Sequence, residues 1–268
     1  MTRLIRVELL KLRTVRLPAC LLGAVAGLTA LFASLDASQA GRAGGTIGSL
    51  ATASGLGSVT TLTGWSMLLA AVLGVTVANG EFRHGTITLT YLATPSRGRV
   101  QVAKMAVAAF AGAVFGLVAA AIATGVGVGV AAEHGYRLPL NAGTLGGHAA
   151  GAVLGAALLA ALGTALGSLV RSQVAAVIAA LLWGLLIEPV LGGLFPSVHP
   201  YLPYTAATTL GGALIGAGPG GFRVAVRTHA IATSPTALPF VAAAALIAAV
   251  AAVLCAVAAG TTVRRDVA

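Results

Sequence analysis

Residues 102–132 read VAKMAVAAFAGAVFGLVAAAIATGVGVGVAA, an apolar run with a single charged residue, Lys104. About 20 helical residues cross the apolar core of a bilayer, which is about 30 Å thick. The run does not alternate polar and apolar residues, so a helix is favoured over a strand of an outer-membrane barrel. This stretch therefore predicts a membrane-spanning helix.

The rest of the chain repeats this pattern. Of its 268 residues, 58% are hydrophobic and 8% are charged, whereas a soluble domain carries roughly 25% charged residues. The predicted spans cover about residues 17–36, 61–79, 102–132, 147–170, 174–195 and 236–260. We therefore predict an all-α integral membrane protein with six transmembrane helices, in which residues 1–268 form one domain.

The basic residues are distributed unevenly between the segments that join the spans. If the N-terminus is cytoplasmic, the inner segments hold Arg3, Arg6, Lys11, Arg13, Arg16, Arg83, Arg97, Arg99, Lys104, Arg171, Arg264 and Arg265. The outer segments hold Arg42, Arg137, Arg223 and Arg227. This is the positive-inside bias of membrane proteins, and it predicts that both termini are cytoplasmic. Because the net charge of +10 follows the topology, nucleic-acid binding is not predicted.

Residues 1–16 have the pattern of an amphipathic interfacial helix. Leu4, Ile5, Leu9 and Leu12 fall on one helical face, and basic residues crowd its flanks. A secretory signal peptide is the alternative interpretation. However, the apolar run that follows is longer than the roughly 7–15 residues of a signal-peptide core. We therefore predict a helix that lies on the inner leaflet.

Glycines recur at a spacing of four residues along several spans. They are Gly143, Gly147, Gly151, Gly155, Gly163 and Gly167 at the fourth span, and the pairs Gly23 and Gly27, Gly112 and Gly116, and Gly125 and Gly129. Stripes of small residues let the backbones of two membrane helices approach closely. The stripes indicate either tight packing within one bundle or the seam of a dimer.

Motifs of ATP-hydrolysing and metal-dependent enzymes are missing from the sequence. Neither Lys11 nor Lys104 completes the G-x-x-x-x-G-K-[ST] phosphate-binding loop. The histidines form no His-Glu-x-x-His pair, and there is no Cys-x-x-Cys pair. We therefore predict no catalytic residue, no cofactor and no metal site on this chain.

One carboxylate falls inside a predicted span. Glu188 lies in the fifth span near its outer end and is followed by Pro189, which should kink the helix. An ionisable group at this depth normally faces the bundle interior or water. Glu188 is therefore either a polar lining of a translocation path or a helix-end carboxylate that reaches outward to the headgroups.

Residues 80–104 form a charged segment between the second and third spans, on the cytoplasmic side. Residues 86–92 alternate polar and apolar side chains, which is typical of a strand. The alternative is a short helix that ends before Pro95. Such a helix would expose Ile87, Tyr91 and Leu92 to a partner.

This segment resembles the first cytoplasmic loop of bacterial type-2 ABC transporter permeases. The resemblance is carried by Glu-Phe-Arg-His-Gly-Thr-Ile-Thr at 81–88, Leu-Ala-Thr-Pro-Ser-Arg at 92–97 and Lys104. Residues 6–14 are similar to the N-terminal elbow helix of that family. Residues 183–189, residues 201–207 and the basic tail at 264–265 also fit.

The resemblance implies the type-2 ABC exporter permease fold. The excess of Arg over Lys and the many Ala and Gly residues indicate a bacterium with a GC-rich genome, and hence the plasma membrane. The resemblance also implies a dimer with a second permease copy or a paralogue, and cytosolic ABC ATPase subunits that bind ATP and magnesium. Residues 80–104 would form the coupling loop, with ATPase contacts at Glu81, Arg83, His84, Thr86, Ile87, Tyr91 and Leu92. The elbow helix would lie beside this loop with Glu8, Lys11 and Arg13. The subunit would export an unidentified substrate by alternating access.

Two other classes of protein remain as alternatives. A six-helix channel or membrane scaffold would need no ATPase, and residues 80–104 would then be a solvated run of charges. A membrane enzyme would need a reactive group of side chains, which the sequence does not show. The outer segment at 196–235 is rich in Pro, Gly and small apolar residues. This composition favours a partly re-entrant or interfacial structure.

Overall fold

The computed structural model describes residues 2–41, 49–60, 62–83, 97–137, 140–170, 172–213 and 239–260. These residues are helical apart from short connections, and they contain no strand. Within them, six stretches are long and apolar enough to cross a membrane: Leu17–Gln39, Gly55–Gly80, Gly98–Glu133, Ala142–Leu169, Gln173–Leu194 and Val241–Ala258. They overlap the six predicted spans, so the prediction of an all-helical, multi-pass membrane protein is confirmed.

In chain order the helices are α1 (Thr2–Thr14), α2 (Leu17–Gln39), α3 (Ala53–Thr60), α4 (Gly64–Arg83), α5 (Arg97–Glu133), α6 (Ala142–Leu169), α7 (Gln173–Leu182), α8 (Glu188–Leu194), α9 (Pro203–Ala213) and α10 (Phe240–Gly260). A π-helical segment, Trp183–Ile187, joins α7 to α8, so these elements form one continuous span. A short 3₁₀ turn, His199–Tyr201, precedes α9. Helix α1 confirms a helix in the first 16 residues, while its position at a membrane surface stays a prediction.

Helix α6 lies at the centre of the bundle, where α4, α5, α9 and α10 pack against it. Its glycines make this possible, because a lipid environment supplies little hydrophobic force between helices and close packing must replace it. A Cβ added to Gly163 would overlap the backbone carbonyl of Ala71 in α4, and one added to Gly116 of α5 would overlap the carbonyl of Ala152. The helix backbones are therefore in direct contact at these positions.

The glycines of the stripes fall into two sets. Packing within one bundle is confirmed for glycines whose added Cβ would meet a neighbouring helix: Gly112, Gly116, Gly155, Gly163 and Gly167. Another set has nothing within 4 Å of an added Cβ in the described part of the chain: Gly23, Gly27, Gly125 and Gly129. For this second set, the dimer seam stays a prediction.

Helix α9 extends the bundle instead of forming a soluble loop. Leu202, Tyr204 and Leu210 are buried, and α9 packs against α6 and α10. This part of the predicted outer segment therefore returns into the bundle. The rest of that segment, residues 214–235 with Arg223 and Arg227, lies outside the described residues.

Candidate functional site

Helix α1 is held to the bundle by a buried group of charges. Glu8 Oε1 accepts a hydrogen bond from Lys11 Nζ at 2.7 Å, and Glu8 Oε2 lies 3.9 Å from Lys104 Nζ of α5. Lys104 Nζ also lies 3.4 Å from the backbone carbonyl of Val77 in α4, to which it donates. Glu8 is 6% exposed and Lys104 is 4% exposed. We call this group, Glu8, Lys104 and the Val77 carbonyl, the Lys104 junction; it joins α1, α4 and α5.

The negative charge of Glu8 and the positive charge of Lys104 stabilise each other in the junction. A buried ion that loses its partner destabilises a protein by about 3–5 kcal/mol, because the remaining charge has neither water nor a counterion. Two nearby contacts extend the connected region. Gln101 of α5 donates to Ser168 Oγ of α6 at 2.6 Å, and Leu12 of α1 packs against the main apolar core. The ends of four helices are thereby joined on the side of the bundle where α1 lies, which we call the N-terminal side.

The residues assigned to ATPase contact are described only in part. The backbones of Glu81 and Arg83 complete α4, and α5 begins at Arg97. The other residues of this set lie outside the described part of the chain: His84, Thr86, Ile87, Tyr91 and Leu92. The strand and helix alternatives for 86–92 concern the same undescribed stretch.

Both described ends of this segment lie close to the Lys104 junction along their own helices. Val77 precedes Glu81 by about one helical turn, and Lys104 follows Arg97 by about two turns, or about 10 Å. Of the other residues assigned to the elbow helix, Lys11 is paired with Glu8 and Arg13 is exposed. Lys104 carried part of the resemblance and ends the predicted coupling loop, but it was not among the predicted contact residues, although its position as the single charge of a long apolar run was the available signal.

Glu188 forms a second polar site, at the opposite end of the bundle from α1. Its side chain is 1% exposed. Oε1 accepts from Trp183 Nε1 at 2.6 Å and from the Tyr204 backbone N–H at 2.8 Å. Oε2 accepts from the backbone N–H and the hydroxyl of Thr205, at 2.8 and 3.0 Å. Three of these partners are N–H groups and can only donate, so the arrangement suits an ionised carboxylate.

The role of Glu188 in the fold is to cap helix α9. Tyr204 and Thr205 belong to the first turn of α9, where backbone N–H groups have no acceptor within the helix. A carboxylate there satisfies these donors and also interacts favourably with the positive end of the helix dipole. The interpretation of Glu188 as a carboxylate that reaches outward to the headgroups is wrong, because the side chain is buried against α9. Its place in a translocation path stays a prediction.

The π-helical segment brings Trp183 to Glu188. The Glu188 backbone N–H bonds to the Trp183 carbonyl across five residues, so this turn is wider than an α-helical one. Residues five apart, which diverge on an α-helix, are therefore one turn apart here. The indole N–H then reaches the carboxylate. Pro189, which cannot donate to the preceding turn, is the second residue after this irregular segment.

His199 extends the Glu188 site toward the end of the bundle. Its Nε2 lies 3.4 Å from Thr205 Oγ1, which donates to Glu188. Burial lowers the pKa of His199 and so favours the neutral form of its ring. A neutral ring that carries its hydrogen on Nε2 can donate to Thr205. Sequence reasoning did not connect these side chains, because nothing in the local pattern shows that α9 starts beside Glu188.

Two other buried polar side chains stand apart from these sites. His148 Nδ1 in α6 lies 2.8 Å from Thr60 Oγ1 in α3, and the side chain of Asn79 in α4 is fully buried. Within the residues that the structure describes, His148 Nε2 and both polar atoms of Asn79 have no hydrogen-bond partner. The described part of the chain also contains no group of three His, Cys, Asp or Glu side chains that could bind a metal ion.

No protein-family model matches the chain, and no curated protein sequence matches it. Function is therefore argued from the resemblance of the charged segment and from the geometry of the Lys104 junction.

Proposed function

We propose that this chain is the membrane-spanning permease subunit of an ATP-driven ABC exporter with the type-2 permease fold. The observation that supports this proposal most directly is the Lys104 junction. It ties α1 to α4 and α5, which are the two helices that flank residues 84–96. A partner that moves these residues would therefore move three helices together.

The packing of α6 provides a path from this side into the rest of the bundle. The backbones of α4 and α5 contact α6 at glycines, as at Gly163 and Gly116. Closely packed backbones transmit displacement because there are no flexible side chains between them to absorb it. In the proposed mechanism, the permease supplies an element with two conformations, and the ATPase supplies the difference in free energy between them.

The proposal includes the partners that the sequence resemblance implies. A cytosolic ATPase would bind ATP and magnesium and dock on Glu81, Arg83 and residues 84–92, beside α1. A second permease copy or a paralogue would complete the transporter. Both termini would be cytoplasmic in the plasma membrane of a bacterium, and the cargo would leave the cell.

Co-purification from native membranes tests this proposal. The tagged chain is extracted in a mild detergent, and the proteins that remain bound are identified by mass spectrometry. We expect an ATPase with Walker motifs, and we expect Glu81→Ala or Arg83→Ala to reduce its recovery several-fold. Arg137→Ala is the matched control, because Arg137 is exposed at the other end of α5 and its loss should not change the recovery.

Two results would count against the proposal in different ways. If no ATPase co-purifies while other complexes from the same membranes stay intact, the permease proposal fails and a channel or scaffold replaces it. If an ATPase is recovered equally with all variants, it is a partner of the chain, but the assignment of the docking residues is wrong. Unfolding midpoints of the variants separate a lost contact from a misfolded chain.

A further inference from the structure

An apolar cleft lies between α1 and α5 on the N-terminal side. Its volume is about 180 Å³, and it is lined by Ile5, Leu9, Ala106, Val107 and Phe110. Phe110 is 62% exposed, so the cleft is open toward the surroundings of a membrane-spanning helix. Because an apolar cavity of about 150 Å³ can hold a benzene molecule, this cleft has room for a segment of hydrocarbon chain.

Two arginines of α1 lie along one edge of the cleft. Successive residues of α1 are about 100° apart around the helix axis. Leu9 is therefore about 40° from Ile5. Arg13 and Arg6 are about 80° and 100° from Ile5 in the same direction. Both arginines are exposed. Glu8 lies about 60° from Ile5 in the opposite direction, where its contact with Lys104 joins the two helices. The cleft therefore opens on the side of the two guanidinium groups.

Helix α5 adds a third arginine to this opening. Arg99 precedes Ala106 by seven residues and Phe110 by eleven. Around the axis of α5, both residues therefore lie within about 20° of Arg99, on the same face of the helix. Arg99 is exposed and lies about two turns nearer to the N-terminal side than Ala106. The apolar lining from α5 is thus deeper along the span than Arg99.

We propose that this cleft binds one acyl chain of an anionic phospholipid, whose phosphate is held by Arg6, Arg13 and Arg99. In the described part of the chain, no acidic side chain forms an ion pair with any of the three. Guanidinium groups bind phosphate through two parallel hydrogen bonds, and an anionic lipid surface attracts basic residues at a membrane boundary. The apolar cleft and the arginines together match a ligand with a hydrocarbon tail and a negative head.

A bound lipid would fill the gap between α1 and α5 on the side where no ion pair joins them. The Lys104 junction connects the two helices along one edge of α1, and the lipid would connect them along the other. This role does not depend on an ATPase partner. A channel or scaffold with the same cleft would bind the same lipid, so the two proposals can fail independently.

Quenching by brominated lipids tests the site directly. A Phe110→Trp reporter is reconstituted in phosphatidylcholine vesicles that contain increasing fractions of brominated phosphatidylglycerol or brominated phosphatidylcholine. The quenching of Trp65 and Trp183, measured in the parent chain, is subtracted. From the quenching of the reporter, we expect the cleft to bind phosphatidylglycerol at least threefold more strongly than phosphatidylcholine.

Substitutions then separate the headgroup from the acyl chain. We expect the triple variant Arg6→Gln, Arg13→Gln, Arg99→Gln to bind both lipids equally, while Arg137→Gln removes the same kind of charge far from the cleft and keeps the preference. In native mass spectrometry, Ala106→Phe, which fills the cleft from an exposed position, should reduce the number of retained phosphatidylglycerol molecules by one.

Three results would overturn the inference. Equal quenching by the two lipids in the unaltered arginine background would exclude the anionic headgroup. An unchanged preference in the triple variant would exclude these arginines as its ligands. An unchanged count of retained lipids in Ala106→Phe would exclude the cleft, provided that the unfolding midpoint shows a folded variant.

Discussion

Glu188 shows how a single charged residue can be accommodated in a membrane-spanning segment. Its two oxygens accept four hydrogen bonds, from Trp183, Tyr204 and Thr205. The desolvation that makes a buried carboxylate unfavourable is offset by donors that α9 would otherwise leave unsatisfied. The charge and the helix start therefore stabilise each other.

Glu188→Gln should lower the free energy of unfolding by about 1–3 kcal/mol. The amide group of glutamine has one oxygen and one N–H₂ group, so one pair of donors, on Tyr204 and Trp183 or on Thr205, would face another donor. The measurement is the unfolding curve in mixed micelles with increasing SDS. Glu133→Gln is the control, since Glu133 is exposed at the end of α5; coincident curves for the two variants would contradict the capping role.

Lys104 makes the same point at the opposite end of the bundle. It is buried with Glu8 from another helix and with the carbonyl of Val77. In the sequence, Lys104 is visible as a charge in an apolar run, but its partners are not. A charged residue in a span thus predicts a partner without predicting which residue it is.

At the scale of helices, the bundle depends on backbone contact along α6. Gly163 faces the backbone of Ala71 in α4, and Gly167 faces that of Val75 one turn later. Side chains as small as a methyl group do not fit between the two helices. The α4–α6 interface is therefore more sensitive to volume than to polarity.

Gly163→Ala should destabilise the protein by about 1–3 kcal/mol, because the added methyl group forces two backbones apart. Gly146→Ala on the same helix is the control. It has nothing within 4 Å of an added Cβ among the described residues and should be neutral or stabilising by about 0.5–1 kcal/mol through helix propensity. SDS unfolding measures both; equal losses of stability would show that the cost does not come from the α4 contact.

At the scale of the whole molecule, the charge distribution predicts the orientation of the six spans. Exposed Arg99 lies at the start of α5 and exposed Arg137 lies just beyond its end. The two are therefore expected on opposite faces of the membrane. The positive-inside bias predicts that Arg99 is cytoplasmic.

Cysteine labelling in whole cells tests this orientation. Cys20 and Cys255 are first replaced by alanine, and Arg99→Cys and Arg137→Cys are introduced separately. A membrane-impermeant maleimide should label Arg137→Cys in intact cells and Arg99→Cys only after the membrane is opened. The reverse pattern would place the N-terminus outside and would remove residues 80–104 from the reach of a cytosolic ATPase.

The sequence by itself determined the number and the positions of the spans. Each span is a local property, because a bilayer requires about 20 consecutive apolar residues whose backbone hydrogen bonds are made within one helix. The four-residue spacing of glycines and the charge at Glu188 were visible in the same way. Their meaning was open, since each had two interpretations.

Only the tertiary structure decided which of these residues meet. It placed Glu8 against Lys104, Glu188 at the start of α9, and Gly163 against Ala71. The sequence that connects these helices does not show that they contact each other. In a bundle of similar apolar helices, neighbours are selected by close packing and by satisfaction of a few buried polar groups, and both depend on the whole arrangement of the helices.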